Sequence, residues 1–211
     1  MKTIVVNAGP RKNWNTAMML QEAQKGAESA GAETEYVDLY ELRFTGCRGC
    51  LACKRKDTER CRCYWNDDLA PLIDKILHAD CVIIGSPIYF FETTAGFRAL
   101  FERLAFCMLN YDGGAPYFSG KVNAGFIYTM NVSRAVFDER LAPALASAEQ
   151  TLGRFLKGRV QSVAACETLQ VNDYSQYSMG MFNEAERSAI RENRFPADLQ
   201  AAFDLGAALS R

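Results

Sequence analysis

Five short apolar runs, each followed by a stretch of helical period, set the strongest limit on how this chain can fold. The runs are Thr3–Val6, Thr34–Leu39, Asp80–Gly85, Lys121–Met130 and Val160–Glu167. Cys81-Val82-Ile83-Ile84 has no polar alternation, which is the pattern of a strand covered on both faces. Strands that alternate with helices build a doubly wound parallel sheet, five-stranded here, with helices on both faces. Helices are expected from about Trp14 to Ala30 with Gly31 as the stop, and from a cap at Asn66 or Asp67 to His78. Others are expected from Thr94 to Leu109, and from Ala135 to Lys157 with a break or restart near Pro143. The tail reads as helical from Asn183 and interrupted before Pro196. No repeat or linker divides the 211 residues. The chain therefore reads as one α/β domain, 1–211, with a cysteine-rich loop at 40–66 and a helical extension from about 183.

Sheets of this kind bind ligands outside the carboxyl ends of their strands, where the winding reverses. That singles out loops 7–16, 85–94 and 129–134. The first has the composition of a phosphate site. Gly9 permits close backbone approach, Arg11 offers a fork of donors, and Asn15 and Thr16 can donate at the start of a helix. The G-x-G-x-x-G and G-K-[ST] patterns are both missing, so a mononucleotide suits the loop better than a dinucleotide or a nucleoside triphosphate. An ordinary strand-to-helix turn is the competing reading. In the second loop Pro87, Ile88, Tyr89, Phe90 and Phe91 supply flat apolar surface, as a planar ring needs, although aromatics after a strand also serve as core. Thr129 and Asn131 can add polar contacts from a third side, while Asn131 or Ser133 would equally suit a helix cap.

The net charge of −1 argues against a nucleic-acid partner, and the basic residues of 54–62 are interleaved with Asp57 and Glu59. No apolar run approaches the ~20 residues of a membrane span, and the first run is too short for a signal-peptide core. A cytoplasmic protein is expected. The single histidine, His78, rules out multi-histidine metal sites and sits where a helix C-terminus favours a structural or surface role. No acid–base dyad or nucleophile triad stands out. Five of the eight cysteines fall within 47–63, and in a reducing compartment they read as metal ligands or redox thiols. Cys81, Cys107 and Cys166 lie in apolar surroundings and read as buried. The spacing Cys47-x-x-Cys50-x-x-Cys53 with Cys61 suits a 4Fe–4S cube, and Cys63 is a second candidate for the fourth position. Zinc, a thiol–disulfide relay and a packed, metal-free loop are the open alternatives. Phosphate cradle and thiolate cluster together point to redox chemistry on a phosphorylated cofactor.

The segments Gly9–Thr16, Cys47–Cys53 with Cys61, Asp67-Asp68, Ala79-Asp80, Gly85–Tyr89 and Phe101-Glu102-Arg103 carry a resemblance over about residues 1–130. The chain resembles the flavodoxin-like NAD(P)H-dependent FMN reductases, and within them the iron–sulfur flavoprotein branch. The resemblance implies a sheet of order 2-1-3-4-5 and FMN at the three loops. The phosphate would lie in 7–16 with Arg11, Asn15 and Thr16, and the ring against 87–91. It further implies NAD(P)H as electron donor, a small-molecule electron acceptor, no catalytic residue beyond the flavin, and a homo-oligomer, dimer or tetramer. A cluster after the second strand would pass electrons to the flavin, and Tyr174–Phe182 could cover it. Two departures matter. The family writes Gly-Ser-Pro-Arg where this chain has Ala8-Gly9-Pro10-Arg11, so a serine hydroxyl is lost and backbone N–H groups must carry more of the phosphate. Seven residues separate Cys53 from Cys61, which is long. Two rivals to a reductase remain: an electron carrier without an organic substrate, and a metal- or redox-responsive thiol protein.

Overall fold

A computed structural model describes residues 1–211. Its centre is a parallel sheet of five strands: β1 (Lys2–Asn7), β2 (Glu33–Asp38), β3 (Cys81–Tyr89), β5 (Val122–Thr129) and β6 (Lys157–Ala165). Their spatial order is β2-β1-β3-β5-β6. Counting the parallel strands alone, this is the expected 2-1-3-4-5. A sixth strand, β4 (Glu92–Thr93), was not foreseen. It folds back antiparallel on the end of β3, pairing Ile88 with Thr93 and Tyr89 with Glu92. The loop of this hairpin is Phe90-Phe91, both at positive φ (50° and 68°), the backbone of a two-residue primed turn built from side chains that rarely adopt it.

Two apolar layers flank the sheet. On one face α1 (Asn15–Ser29) packs beside α7 (Phe195–Leu209), bringing Leu20 and Ala23 against Leu205 and Leu209 over Val5, Ile83 and Ile127. The other face is covered by α2 (Leu69–Leu77), α3 (Ala95–Met108) and α5 (Ala142–Leu156), which close over Ile4, Val6, Val82, Ile84 and Phe126. A short turn, α4 (Arg134–Val136), runs through a π turn, Phe137–Leu141, into α5, and Pro143 lies in the first turn of α5. The expected break near Pro143 is thus a π turn just before it; proline's missing N–H costs nothing at a helix start. The helical tail divides into α6 (Glu184–Asn193), with Asn183 accepting from the Glu186 N–H, and α7. α7 is no appendage: Phe195, Ala202, Leu205 and Leu209 are core residues. No helix is long and apolar enough to cross a membrane.

The α1–α7 contact brings backbones together. A Cβ on Gly206 would lie 1.9 Å from the Ala23 carbonyl oxygen, and one on Gly26 would lie 2.0 Å from that of Phe203. Neither carbonyl can move without breaking its helix. Gly206→Ala is therefore expected to destabilise the fold by about 3 kcal/mol, the upper range for overpacking, as read by urea unfolding. A change below ~0.5 kcal/mol would mean the helices separate freely.

Candidate functional site

β1 ends at Asn7, whose side chain shapes the first loop from both sides. Its Nδ2 donates to Asp38 Oδ1 at 2.7 Å, and its Oδ1 accepts the Gly9 N–H at 2.9 Å. A Cβ at Gly9 would stand 3.0 Å from that Oδ1 and 3.3 Å from Pro87 Cδ, so the loop passes close to β3 only as glycine. Ala8 is clamped by its own N–H to the Gly85 carbonyl (2.8 Å) and by the Thr94 hydroxyl to its carbonyl (2.7 Å). α1 then begins with no side-chain cap at Trp14. The first-turn N–H groups of α1 therefore remain for a ligand at the helix's positive end.

The loops expected to meet do meet. Gly9, Arg11, Asn15, Thr16, Pro87, Ile88, Tyr89, Thr129 and Asn131 all line one cleft at the carboxyl ends of β1, β3 and β5. Thr16 does not cap α1; its hydroxyl pairs with that of Thr129 at 2.7 Å and ties the first loop to the third. Phe90 and Phe91 are the exception. They stand at the tip of the β3–β4 hairpin, outside the cleft lining, and Phe90 is 99% exposed. The hairpin turn rotates them away from the face that Ile88 and Tyr89 present. Ser133 is the cap, accepting from the Val136 N–H.

The cleft also has a wall that the sequence reading missed: Thr168, Leu169 and Gln170, after β6. Arg11 Nη1 donates to the Gln170 carbonyl at 2.6 Å, and Trp14 Nε1 and Asn15 Nδ2 donate to that of Leu169 at 3.1 and 2.7 Å. Asn15 Oδ1 accepts from Arg191 of α6 at 2.9 Å, so its amide is engaged at both ends. Two buried acceptors here have no partner: Asn131 Oδ1 and Gln170 Oε1. The only sequence signal for this wall was its position after a strand. Burial pushes the Tyr89 phenol up, against the pull of Arg11. The cleft thus joins cationic and N–H donors at one end, an apolar plate of Pro87, Ile88 and Tyr89, and unpaired acceptors beside it.

The cysteine loop packs on α3, with Cys53, Cys61 and Cys63 against the core layer of that face. Between Glu41 and Leu69 its only regular element is a single turn, Ala52–Lys54. Cys47 and Cys50 are exposed, Cys53 is buried, Cys61 and Cys63 are half-buried, and all eight cysteines are free thiols. Cys81, Cys107 and Cys166 are buried, as expected. Burial pushes the Cys53 and Cys61 thiols up, partly countered for both by Lys54. No three or more His, Cys, Asp or Glu side chains are grouped as a single metal ion would need. Four cysteines nonetheless border one cavity: Cys47, Cys50, Cys53 and Cys63. Cys61, taken from the sequence as the fourth of the set, is not among its lining.

The loop is organised by Arg103 of α3, 2% exposed. Its Nη1 donates to Asp67 Oδ2 at 2.5 Å and to the Thr45 carbonyl at 3.2 Å. Its Nη2 reaches the Trp65 carbonyl at 3.4 Å and Cys63 Sγ at 3.2 Å, and its Nε reaches the same sulfur at 3.3 Å. Lys54 Nζ donates to the Leu109 carbonyl at 2.5 Å and to that of Phe106, closing the C-terminus of α3. Asp67 Oδ1 accepts from the Leu69 and Ala70 N–H groups and so starts α2.

A profile of the family described as NADPH-dependent FMN reductase matches residues 1–155. An iron–sulfur flavoprotein of Methanocaldococcus jannaschii is 32% identical over 130 residues, covering 59% of this chain and 65% of that protein. One from Archaeoglobus fulgidus is 31% identical over 134 residues, covering 64% of this chain and 57% of that protein. The chain thus spans less than two thirds of the length of these relatives. Among solved structures, an NAD(P)H:quinone oxidoreductase from Methanothermobacter marburgensis superposes with a TM-score of 0.71 at 16% identity, covering 99% of this chain and 98% of that one. An archaeal flavodoxin superposes at 0.52 with 13% identity, covering 100% of this chain and 96% of that one. At such identities these two likenesses concern the fold.

Burial works against the Asp67 carboxylate, but the Arg103 hydrogen bond and charge prevail and hold its pKa below the ordinary value. The unfolded chain then takes up the proton first, so stability rises with pH across this titration. The stabilisation is complete above about pH 4 and is lost as acid protonates the folded group. Asp67→Asn is expected to flatten the acid limb of the pH–stability profile, measured by urea unfolding of chelator-treated protein.

Proposed function

The chain belongs to the NADPH-dependent FMN reductase family, and we propose that it binds FMN in the cleft at the ends of β1, β3 and β5 and passes electrons from NAD(P)H to a small acceptor. The observation that carries this reading is the pair of buried, unpartnered acceptors, Asn131 Oδ1 and Gln170 Oε1, in a cleft whose other end is an uncapped helix start. Buried polar atoms without partners are rare in a folded chain. The ribityl hydroxyls and ring imide of a flavin mononucleotide are donors of the kind such acceptors need. The Gly9 turn, which a Cβ would fill, fits the close approach of a phosphate.

Arg11 and the first turn of α1 would hold the phosphate. Ile88 and Tyr89 would bear on the ring, and Thr129 and Asn131 would orient its polar edge. When bound, FMN supplies the redox chemistry: it accepts a hydride and releases electrons singly or in pairs. The protein's part would be to bind, orient and exclude water.

A second reading is favoured by the four cysteines that border one cavity, and by the iron–sulfur flavoproteins among the relatives. In it the chain also holds a 4Fe–4S cluster and works as an electron carrier. Cys47, Cys50, Cys53 and one further cysteine would be its ligands, with Arg103 and Lys54 offsetting their charge. We extend the proposal to a homo-oligomer, supported by exposed Phe90 and Phe91 beside the cleft.

The test is a visible spectrum of anaerobically purified protein with FMN and iron assayed on one sample, then turnover with NADH or NADPH and quinone or azo acceptors. Flavin bands with turnover are expected; bound FMN without turnover from either donor would remove the reductase role. Arg11→Ala is expected to weaken FMN binding by roughly 10- to 100-fold, the loss of one charged hydrogen bond, measured by fluorescence titration. An unchanged Kd would place the phosphate elsewhere.

A further inference from the structure

The helical tail reaches the cleft through arginines. α6 has no fully buried residue, so apolar packing gives it little hold. Arg187, Arg191 and Arg194, at i, i+4 and i+7, instead join it to the segments that build the cleft. Arg187 Nη2 donates to the Asn131 carbonyl of the third loop at 3.3 Å. Arg194 Nη2 donates to the Cys166 carbonyl, just after β6, at 2.7 Å. Arg191 Nη1 donates to Asn15 Oδ1, in the first turn of α1, at 2.9 Å.

The three charges are not balanced alike. Arg187 and Arg194 share Glu167, at 3.6 and 3.0 Å. Arg191 has no carboxylate partner. Its Nη2 donates to the Met18 thioether, a weak acceptor, and its guanidinium carbon stands 4.3 Å from the ring centre of buried Phe195. Burial lowers its pKa, and no acid offsets this. A half-buried cation without a countercharge is unfavourable in the ligand-free chain. Its place adds to the cost, because a helix start is itself positive and α1 carries no acidic residue in its first turn. No Asp or Glu lines the cleft either. Arg11, Arg191 and the uncapped start of α1 thus set a positive potential at one end of the cleft, which an anion there would offset.

Asn15 connects the arginine to the cleft. Its side chain, in a residue 5% exposed, accepts from Arg191 through its oxygen and donates to the Leu169 carbonyl through its nitrogen. Through this one amide Arg191 braces both the first turn of α1 and the wall after β6.

We propose that Arg191, which lies outside residues 1–155 matched by the family profile, is a positioning residue of the cofactor site. Through Asn15 it holds the start of α1 and the Leu169 wall in place, and its unpaired charge favours a phosphorylated flavin over an unphosphorylated one. This rests on the FMN reading above.

The test titrates the FMN-free chain with FMN and with riboflavin, followed by flavin fluorescence. Wild type is expected to bind FMN the more tightly. Arg191→Gln is expected to weaken FMN by about tenfold and to leave riboflavin within about twofold, so that most of the preference disappears. An equal fall for both flavins, or no change in either, overturns the proposal, the first by making Arg191 a brace of the fold only. Asn15→Ala is expected to weaken FMN as well, and adding Arg191→Gln to it should cost little more; full additivity overturns the route through Asn15. Should Arg191→Gln fail to fold, Arg191→Lys decides. It keeps the charge and loses the fork, so FMN is expected to weaken by about threefold with riboflavin unchanged, and an equal fall for both again overturns the proposal. Wild type that binds both flavins alike overturns this assignment while the FMN reading stands. Wild type that binds neither overturns both.

Discussion

The position of β1 between β2 and β3 is the constraint on which the remainder of this molecule depends. Every parallel crossover here must be right-handed. A chain that adds β2 on one side of β1 and β3 on the other must therefore place α1 and α2 on opposite faces. The connections part at the carboxyl end of β1, and the cleft opens there. Asn7, Gly9 and Gly85 carry that geometry. Asn7 ties β1 to β2 through Asp38, Gly9 lets the loop pass Pro87, and a Cβ at Gly85 would meet Leu20 at 2.6 Å. The tail, which follows the last strand, covers the face that α1 leaves partly open, where Gly26 and Gly206 let α7 close the second layer.

A second organising element is electrostatic. The 40–66 connection has almost no regular backbone hydrogen bonding, so it cannot hold itself in shape. Arg103 supplies the missing order from a helix that the sheet already fixes. One guanidinium gathers Thr45, Cys63, Trp65 and Asp67. Asp67 in turn starts α2. The loop, the helix after it and the helix beneath it are thus coupled through one buried ion pair, which would be strongly destabilising to break from one side. This also places the cysteines: those near the arginine border a common cavity, and Cys61 does not.

Much of the cleft was legible in the sequence because its parts are local. A strand that ends in a glycine turn before a helix with Arg11, Asn15 and Thr16 is a contiguous signal, and the switch-point rule brings the loops after β3 and β5 to it. Thr168–Gln170 was not legible, because its role comes from carbonyls that receive Arg11, Trp14 and Asn15 across more than 150 residues. Backbone carbonyls leave no mark on composition. Phe90 and Phe91 misled for a related reason. Aromatics after a strand read as ring surface, but a two-residue turn with positive φ at both positions sends them outward.

By itself the sequence determined the class of this protein: five parallel strands, their winding, the glycine turn before the first helix and the family, since alternating hydrophobic period and short motifs act over a few residues. It determined as well that Cys81, Cys107 and Cys166 would be buried, from their apolar neighbours. The tertiary structure alone decided which distant groups meet. It chose the wall after β6, the merger of α7 into the core, and Cys63 over Cys61 at the cavity that Arg103 shapes. Those choices depend on packing distances and on the need of a buried guanidinium for acceptors. Neither can be read from spacing along the chain.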